Sequence, residues 1–144
     1  MADIYVSGPV LRHGVPVPEW VGNTYETVLG SARELGLNVS YPEAEPYLER
    51  ADPRIFLESI RQRISASQVA VVIFTGGDVS SGIEATMASN LNKPQVVISD
   101  DPATVPRLLR GLPTVTGVIR PDYSLVGQLD AFLRRNLRGP AQAR

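Results

Sequence analysis

At 144 residues the chain has room for one domain built around a single core of its own. A hydrophobic fraction of 43%, a charged fraction of 20% and a formal net charge of -1 are ordinary for a water-soluble globular protein and give no general pull towards nucleic acid. The absence of cysteine excludes a disulfide framework and a thiol nucleophile, and the lack of a leader-like N-terminus or a membrane-length apolar run makes a cytoplasmic location the expectation.

Residues 3–7 read as the first strand, stopped by Gly8-Pro9. Residues 10–22 carry Gly14, Pro16, Pro18, Trp20 and Gly22 and read as a long βα loop, placed where such sheets grip a substrate. Arg12, His13 and Trp20 are its candidate contacts: a cation or donor for a phosphate or sugar, and a flat surface for a base. A loop packed on its own aromatic is the other reading. Residues 23–35 are expected as a helix capped by Asn23 with Glu26, burying Tyr25, Val28, Leu29, Ala32 and Leu35. A short strand at 37–41 and an acidic, proline-bearing loop at 42–50 follow. Asp52-Pro53 then opens a helix whose buried stripe is Phe56, Leu57, Ile60 and Ile64.

The run Val69-Ala70-Val71-Val72-Ile73-Phe74 is apolar throughout, as in a central parallel strand, and it leads into Asp78-Val79-Ser80-Ser81-Gly82-Ile83-Glu84. With Ser81 as N-cap, Ser81 and Glu84 form an S-x-x-E capping box. The carboxylate then lies at the carboxyl edge of the sheet, where α/β proteins hold their ligands. There the helix start favours the ionised state that an attacking carboxylate needs. A box glutamate that only satisfies backbone donors is the competing reading. Ile83, Met87 and Leu91 are expected to face the core, and residues 95–99 to form the fourth strand. Asp100-Asp101-Pro102 reads as a helix start rather than a metal pair, and no metal or cofactor is expected. A short helix at 105–112, a fifth strand at 114–119 and a last helix at 124–137 burying Leu125, Leu129, Phe132 and Leu133 complete the pattern. Arg107, Arg110, Arg120, Arg134, Arg135, Arg138 and Arg144 crowd the last third and read as solvated helix faces, with a phosphate contact by one or two left open. Alternating strands and helices with no internal repeat give an α/β chain: a single-domain, doubly wound, five-stranded parallel sheet of flavodoxin or Rossmann type over residues 1–138. A mobile tail at 139–144 is expected beyond it.

The pattern D-x-x-x-G-x-E, the following short helix with Ala88, then Asn92-Lys93-Pro94 and Gln95-Val96-Val97-Ile98 resemble the nucleoside 2-deoxyribosyltransferase superfamily, which includes the deoxynucleoside-monophosphate N-glycosidases. The opening Ile4-Tyr5-Val6-Ser7-Gly8-Pro9 is similar to that family's first strand and loop, and Leu108-Leu109-Arg110-Gly111 with residues 123–133 resembles its glycosidase branch. The resemblance implies double displacement at the anomeric carbon of a nucleoside, without a cofactor, by at least a homodimer. Glu84 would be the nucleophile, Tyr5 its orienting partner and Asp78 the group that recognises or protonates the base; a turn aspartate bonding its own backbone is the other reading of Asp78. Ser80, Ser81 and Gly82 would meet the sugar, while Ser7, Gly8 and Arg12 sit where the nucleotide-cleaving branch holds a 5′-phosphate. Two family aspartates become Ser59 and Ser67 here, Ala85-Thr86 replaces the usual Leu-Gly, and Pro106 stands where a phosphate-touching serine is usual near Arg110. Transfer of the sugar to another base, hydrolysis of nucleoside monophosphates, and a nucleoside-binding module that has lost catalysis all remain open on this pattern.

Overall fold

The computed structural model describes residues 2–9, 16–41, 52–76 and 79–137. In chain order the elements are β1 (Ile4–Ser7), α1 (Glu19–Leu35), β2 (Val39–Ser40), α2 (Pro53–Ala66), β3 (Val69–Ile73), α3 (Val79–Asn90), β4 (Gln95–Ile98), α4 (Arg107–Arg110), β5 (Val115–Ile119) and α5 (Leu125–Asn136), with a 3₁₀ turn at Pro102–Thr104 before α4. The strands pair in the order β2-β1-β3-β4-β5, and every pairing is parallel. This is the doubly wound flavodoxin-like order expected from the alternating pattern, and its direction of winding reverses between β1 and β3.

Uninterrupted apolar sequence explains the middle of the sheet. Val69 to Ile73 are all buried, because helices cover both faces of a parallel sheet and neither face tolerates a polar position. On one face Ile4, Val6, Val71, Ile73, Val96 and Ile98 meet Val21, Tyr25 and Val28 of α1 and Leu129, Phe132 and Leu133 of α5. On the other face, Tyr5 and Ala70 meet Ile60 and Ile64 of α2 and Ala88 of α3. Val72 and Val97 continue that face beneath Ala85, Val105 and Leu109. Among the described residues, no helix is long and apolar enough to cross a membrane.

Three elements differ from the sequence expectation. Helix α1 begins at Glu19, with Pro18 at its N-cap, so Trp20 lies in its first turn and Asn23 inside it. The reason is that the apolar stripe runs on upstream: Val21 stands one turn before Tyr25 and is fully buried. Helix α2 starts as expected, its first-turn amide of Arg54 donating to Asp52 Oδ1 at 2.9 Å, but only its second half is core. Ile60 and Ile64 are 5% and 1% exposed, whereas Phe56 and Leu57 are 38% and 53% exposed. Helix α3 begins at Val79, and Ile83, expected inside, is exposed while Met87 and Leu91 pack against the core.

Near the end of the chain Asp101 accepts the Ala103 amide at 3.2 Å and so opens the 3₁₀ turn, the role read for it in the sequence. Arg107, Arg110, Arg120, Arg134 and Arg135 are exposed, and Arg134 pairs with Asp130 one turn earlier on α5 at 2.9 Å. Arg138, Arg144 and the expected tail lie outside the described residues.

Candidate active site

Because the strands are parallel, β1 and β3 both end at one edge of the sheet, where the winding reverses and where folds of this type place their ligands. Gly76, with φ of 89°, carries the chain out of β3 in a conformation that side-chain-bearing residues avoid. Helix α3 starts three residues later and leads back over the sheet. Glu84 is the sixth residue of that helix, and it is 9% exposed.

The capping-box reading of Ser81 and Glu84 is corrected by this geometry. Ser81 is the third residue of α3 and fully buried, so it cannot be the N-cap, and Glu84 lies beyond the first turn, where the helix-terminal field is strongest. Side-chain hydroxyls from β1 reach the carboxylate instead. Tyr5 donates its phenolic proton to Glu84 Oε1 in a short hydrogen bond. Ser7 donates to Glu84 Oε2 at 2.6 Å. Tyr5 and Ser7 are two positions apart on a strand and therefore point to the same face, towards α3. Both donors are shut off from solvent, at 0% and 1% exposure.

Such a pair stabilises a carboxylate that has lost most of its water, since hydrogen bonds to a charged group contribute about 1.5–3 kcal/mol each. The Tyr5 phenol stays protonated and so remains a donor: burial first, and then the neighbouring Glu84 charge, push its pKa far above the ordinary tyrosine range. An ionised carboxylate has about four acceptor positions, and the two hydroxyls take two of them.

Further contacts hold the backbone on either side of Glu84. The Gln95 side-chain amide donates to the Ala85 carbonyl at 2.9 Å and to Thr114 Oγ1 at 3.0 Å, tying α3 to the start of β4 and to the approach to β5. Gln95 Oε1 has no partner among the described residues. Just past the end of β1, Gly8 fits against α1 and β3: a β-carbon there would stand 2.9 Å from the Tyr25 hydroxyl and 3.0 Å from Ile73 Cβ. The Tyr25 hydroxyl in turn donates to the Pro9 carbonyl at 3.0 Å.

Of the residues singled out in the sequence, Tyr5, Ser7 and Glu84 are thus brought into direct contact. Ser80 is exposed on the first turn of α3 and Gly82 half-buried. Trp20 is half-buried against the α1 and α5 side of the core. Ser59 lines a shallow depression of about 340 Å³ on α2 with Arg54, Ile55, Glu58 and Gln62, which includes no residue of β1 or α3. Arg110 is exposed on α4, its Nε donating to the Val105 carbonyl at 3.2 Å. Arg12, His13 and Asp78 lie outside the described residues. The bond from Ser7 to Glu84 was not anticipated. A polar residue at the same-face position two beyond Tyr5 was the only signal for it.

Among the described residues, no group of three His, Cys, Asp or Glu side chains is gathered as a metal site. No family model matches the chain, and no curated protein matches it. Solved structures do share its fold. A CMP N-glycosidase from Clostridium botulinum superposes with a TM-score of 0.65 at 14% identity, over 90% of this chain and 98% of that one. A 2-deoxyribosyltransferase from Bacillus psychrosaccharolyticus superposes with a TM-score of 0.68 at 16% identity, over 92% of this chain and 96% of that one. The constitutive lysine decarboxylase of E. coli matches 93% of this chain with only 17% of its own length, with a TM-score of 0.54 and 12% identity. What is common at these identities is the flavodoxin-like sheet with helices on both sides.

Proposed function

We propose that this chain is a member of the nucleoside 2-deoxyribosyltransferase superfamily that cleaves the N-glycosidic bond of a deoxynucleoside through a glycosyl-glutamate intermediate and passes the sugar to a second base. The observation that carries this reading is Glu84 at the β1/β3 switch point, with its two carboxylate oxygens held by Tyr5 and Ser7. The same fold in a deoxyribosyltransferase and a CMP N-glycosidase, over nearly their whole lengths, supports it.

In the first step a Glu84 oxygen forms a bond to C1′ as the bond from C1′ to the base nitrogen breaks, and the electron pair leaves with the base, which takes up a proton. Asp78, immediately before α3 in the sequence, is the group we assign to that proton. In the second step a nitrogen of the incoming base attacks C1′ and gives up its proton to Asp78, the ester bond breaks, and its electron pair returns to Glu84. Tyr5 acts throughout by fixing the carboxylate. Ser80 and Gly82, in the first turn of α3, are assigned to the sugar; Ser81 is fully buried and Ser59 lines a depression that includes no residue of β1 or α3, so neither is given a substrate contact. Trp20 and Arg12 are assigned to the base and to a 5′-substituent. The reading includes a cofactor-free cytoplasmic enzyme working at least as a homodimer, which light scattering would test directly.

Water in place of the second base turns the same chemistry into hydrolysis, and the fold shared with a CMP N-glycosidase favours this as the second reading, with Arg110 near the phosphate. One set of incubations separates them. Deoxynucleosides are mixed with a second free base, then deoxynucleoside monophosphates are incubated alone, and products are resolved by chromatography. Base exchange is the expected result; free base without exchange selects hydrolysis, and calorimetric binding without turnover selects a module that has lost catalysis. Glu84→Ala is expected to lower turnover by at least about a thousandfold. Turnover that survives this substitution removes Glu84 from the chemistry.

A further inference from the structure

The geometry points to Ser7 as a positioning residue that holds Glu84 Oε2 and assists its departure from the sugar in the second step. This rests on the reading of Glu84 as nucleophile, and it gives Ser7 work that the 5′-phosphate assignment does not. Three observations carry it. Ser7 is the last residue of β1, at the edge of the sheet where the winding reverses. Its hydroxyl is 2.6 Å from Oε2. At 1% exposure it has no solvent surface to offer a phosphate group.

A hydroxyl bonded to a carboxylate does not serve the two steps equally. When Glu84 attacks, negative charge leaves the carboxylate, and a donor to it stabilises the starting state more than the transition state. When the ester breaks, the C1′–Oε bond gives its electron pair back to Glu84, charge grows on the carboxylate, and the same donor becomes more favourable as the barrier is crossed. Tyr5 supplies the other donor on Oε1 and is itself locked in the core among Ile60, Ile64, Ala70 and Ala88. Ser7 carries a short rotor instead, able to follow Oε2 as the ester forms and breaks.

Ser7→Ala removes the hydroxyl and adds no volume. It is expected to slow breakdown of the glycosyl-enzyme about 10–100-fold, the loss of one hydrogen bond to a developing charge, while leaving its formation no slower. Free base should then appear in a burst of about one equivalent per active site before a slow steady rate. Intact-mass measurement after acid quench should show the sugar on Glu84. The probes are the four natural deoxynucleosides and their 5′-monophosphates, each alone and with a second base. Ser7→Cys, which is somewhat larger and offers only a weak donor, is expected to show the same burst, so that the result does not hang on one variant. If the wild-type protein turns over none of the probes, or Glu84→Gln retains turnover, the nucleophile reading falls and this inference with it. If Glu84 is required but neither Ser7 variant accumulates the sugar-bearing form, Ser7 is only structural and the inference alone is overturned.

Discussion

Gly8 sits just past the end of β1, and the space its missing side chain leaves is already taken. A β-carbon at that position meets the Tyr25 hydroxyl and Ile73, both buried and both part of the wall behind the candidate site. Gly8→Ala therefore has to displace Tyr25 from Pro9 or push β1 away from β3. A cost of about 1–3 kcal/mol is expected, read as a lower urea midpoint without a change in slope. Because Ser7 is its neighbour, the same shift should also reduce turnover. An alanine variant as stable as the parent would show that the end of β1 has slack. The sequence made Gly8 legible as a strand stop but not as a close approach, since Tyr25 and Ile73 lie far away along the chain. Glu84 was legible because a wholly apolar strand and a glycine-bearing turn precede it. Its hydrogen bond to Ser7, 77 positions away, has no local signature and is decided by which strands become neighbours.

At the level of elements, α2 separates what periodicity reveals from what it does not. Phe56, Leu57, Ile60 and Ile64 recur at helical spacing, and the spacing correctly predicts a helix and its proline start. Spacing says nothing about how far along the helix the sheet extends beneath it. Only the second half of α2 lies on Tyr5, Ala70 and Ala88, and the first half carries Ile55 and Leu57 into solvent. Ile64→Ala is therefore expected to cost about 2–5 kcal/mol, while Leu57→Ser should stay within about 0.5 kcal/mol. Equilibrium unfolding in urea checks both, and equal losses would mean that the first half of α2 is covered in solution. Helix α1 makes the converse point. Pro16, Pro18 and Gly22 give its first turn the composition of a loop, yet tertiary burial of Val21 overrides that local composition.

For the molecule as a whole, two apolar layers close over a sheet that carries a hydroxyl and carboxylate cluster in its interior, and this arrangement ties global stability to alkaline pH. Burial and the Glu84 charge raise the Tyr5 pKa in the folded protein, whereas in the unfolded chain the phenol returns to its ordinary value of 10.0. Below that value Tyr5 is protonated in both states, and whatever it contributes to stability is fully present. As pH rises past about 10 the unfolded chain releases the proton and the folded chain keeps it, so unfolding is favoured by up to about 1.4 kcal/mol for each further pH unit. The comparison that isolates Tyr5 is with Tyr5→Phe. At pH 8 the variant is expected to be the less stable of the two, because Glu84 loses a buried donor. Between about pH 10 and 11.5 the wild-type protein should lose stability more steeply, and the gap between the two should narrow by about 1–2 kcal/mol. Urea unfolding followed at half-unit pH steps measures this. Parallel curves would show that the Tyr5 proton leaves folded and unfolded chains alike, which a phenol sealed against Glu84 beneath α2 and α3 does not allow.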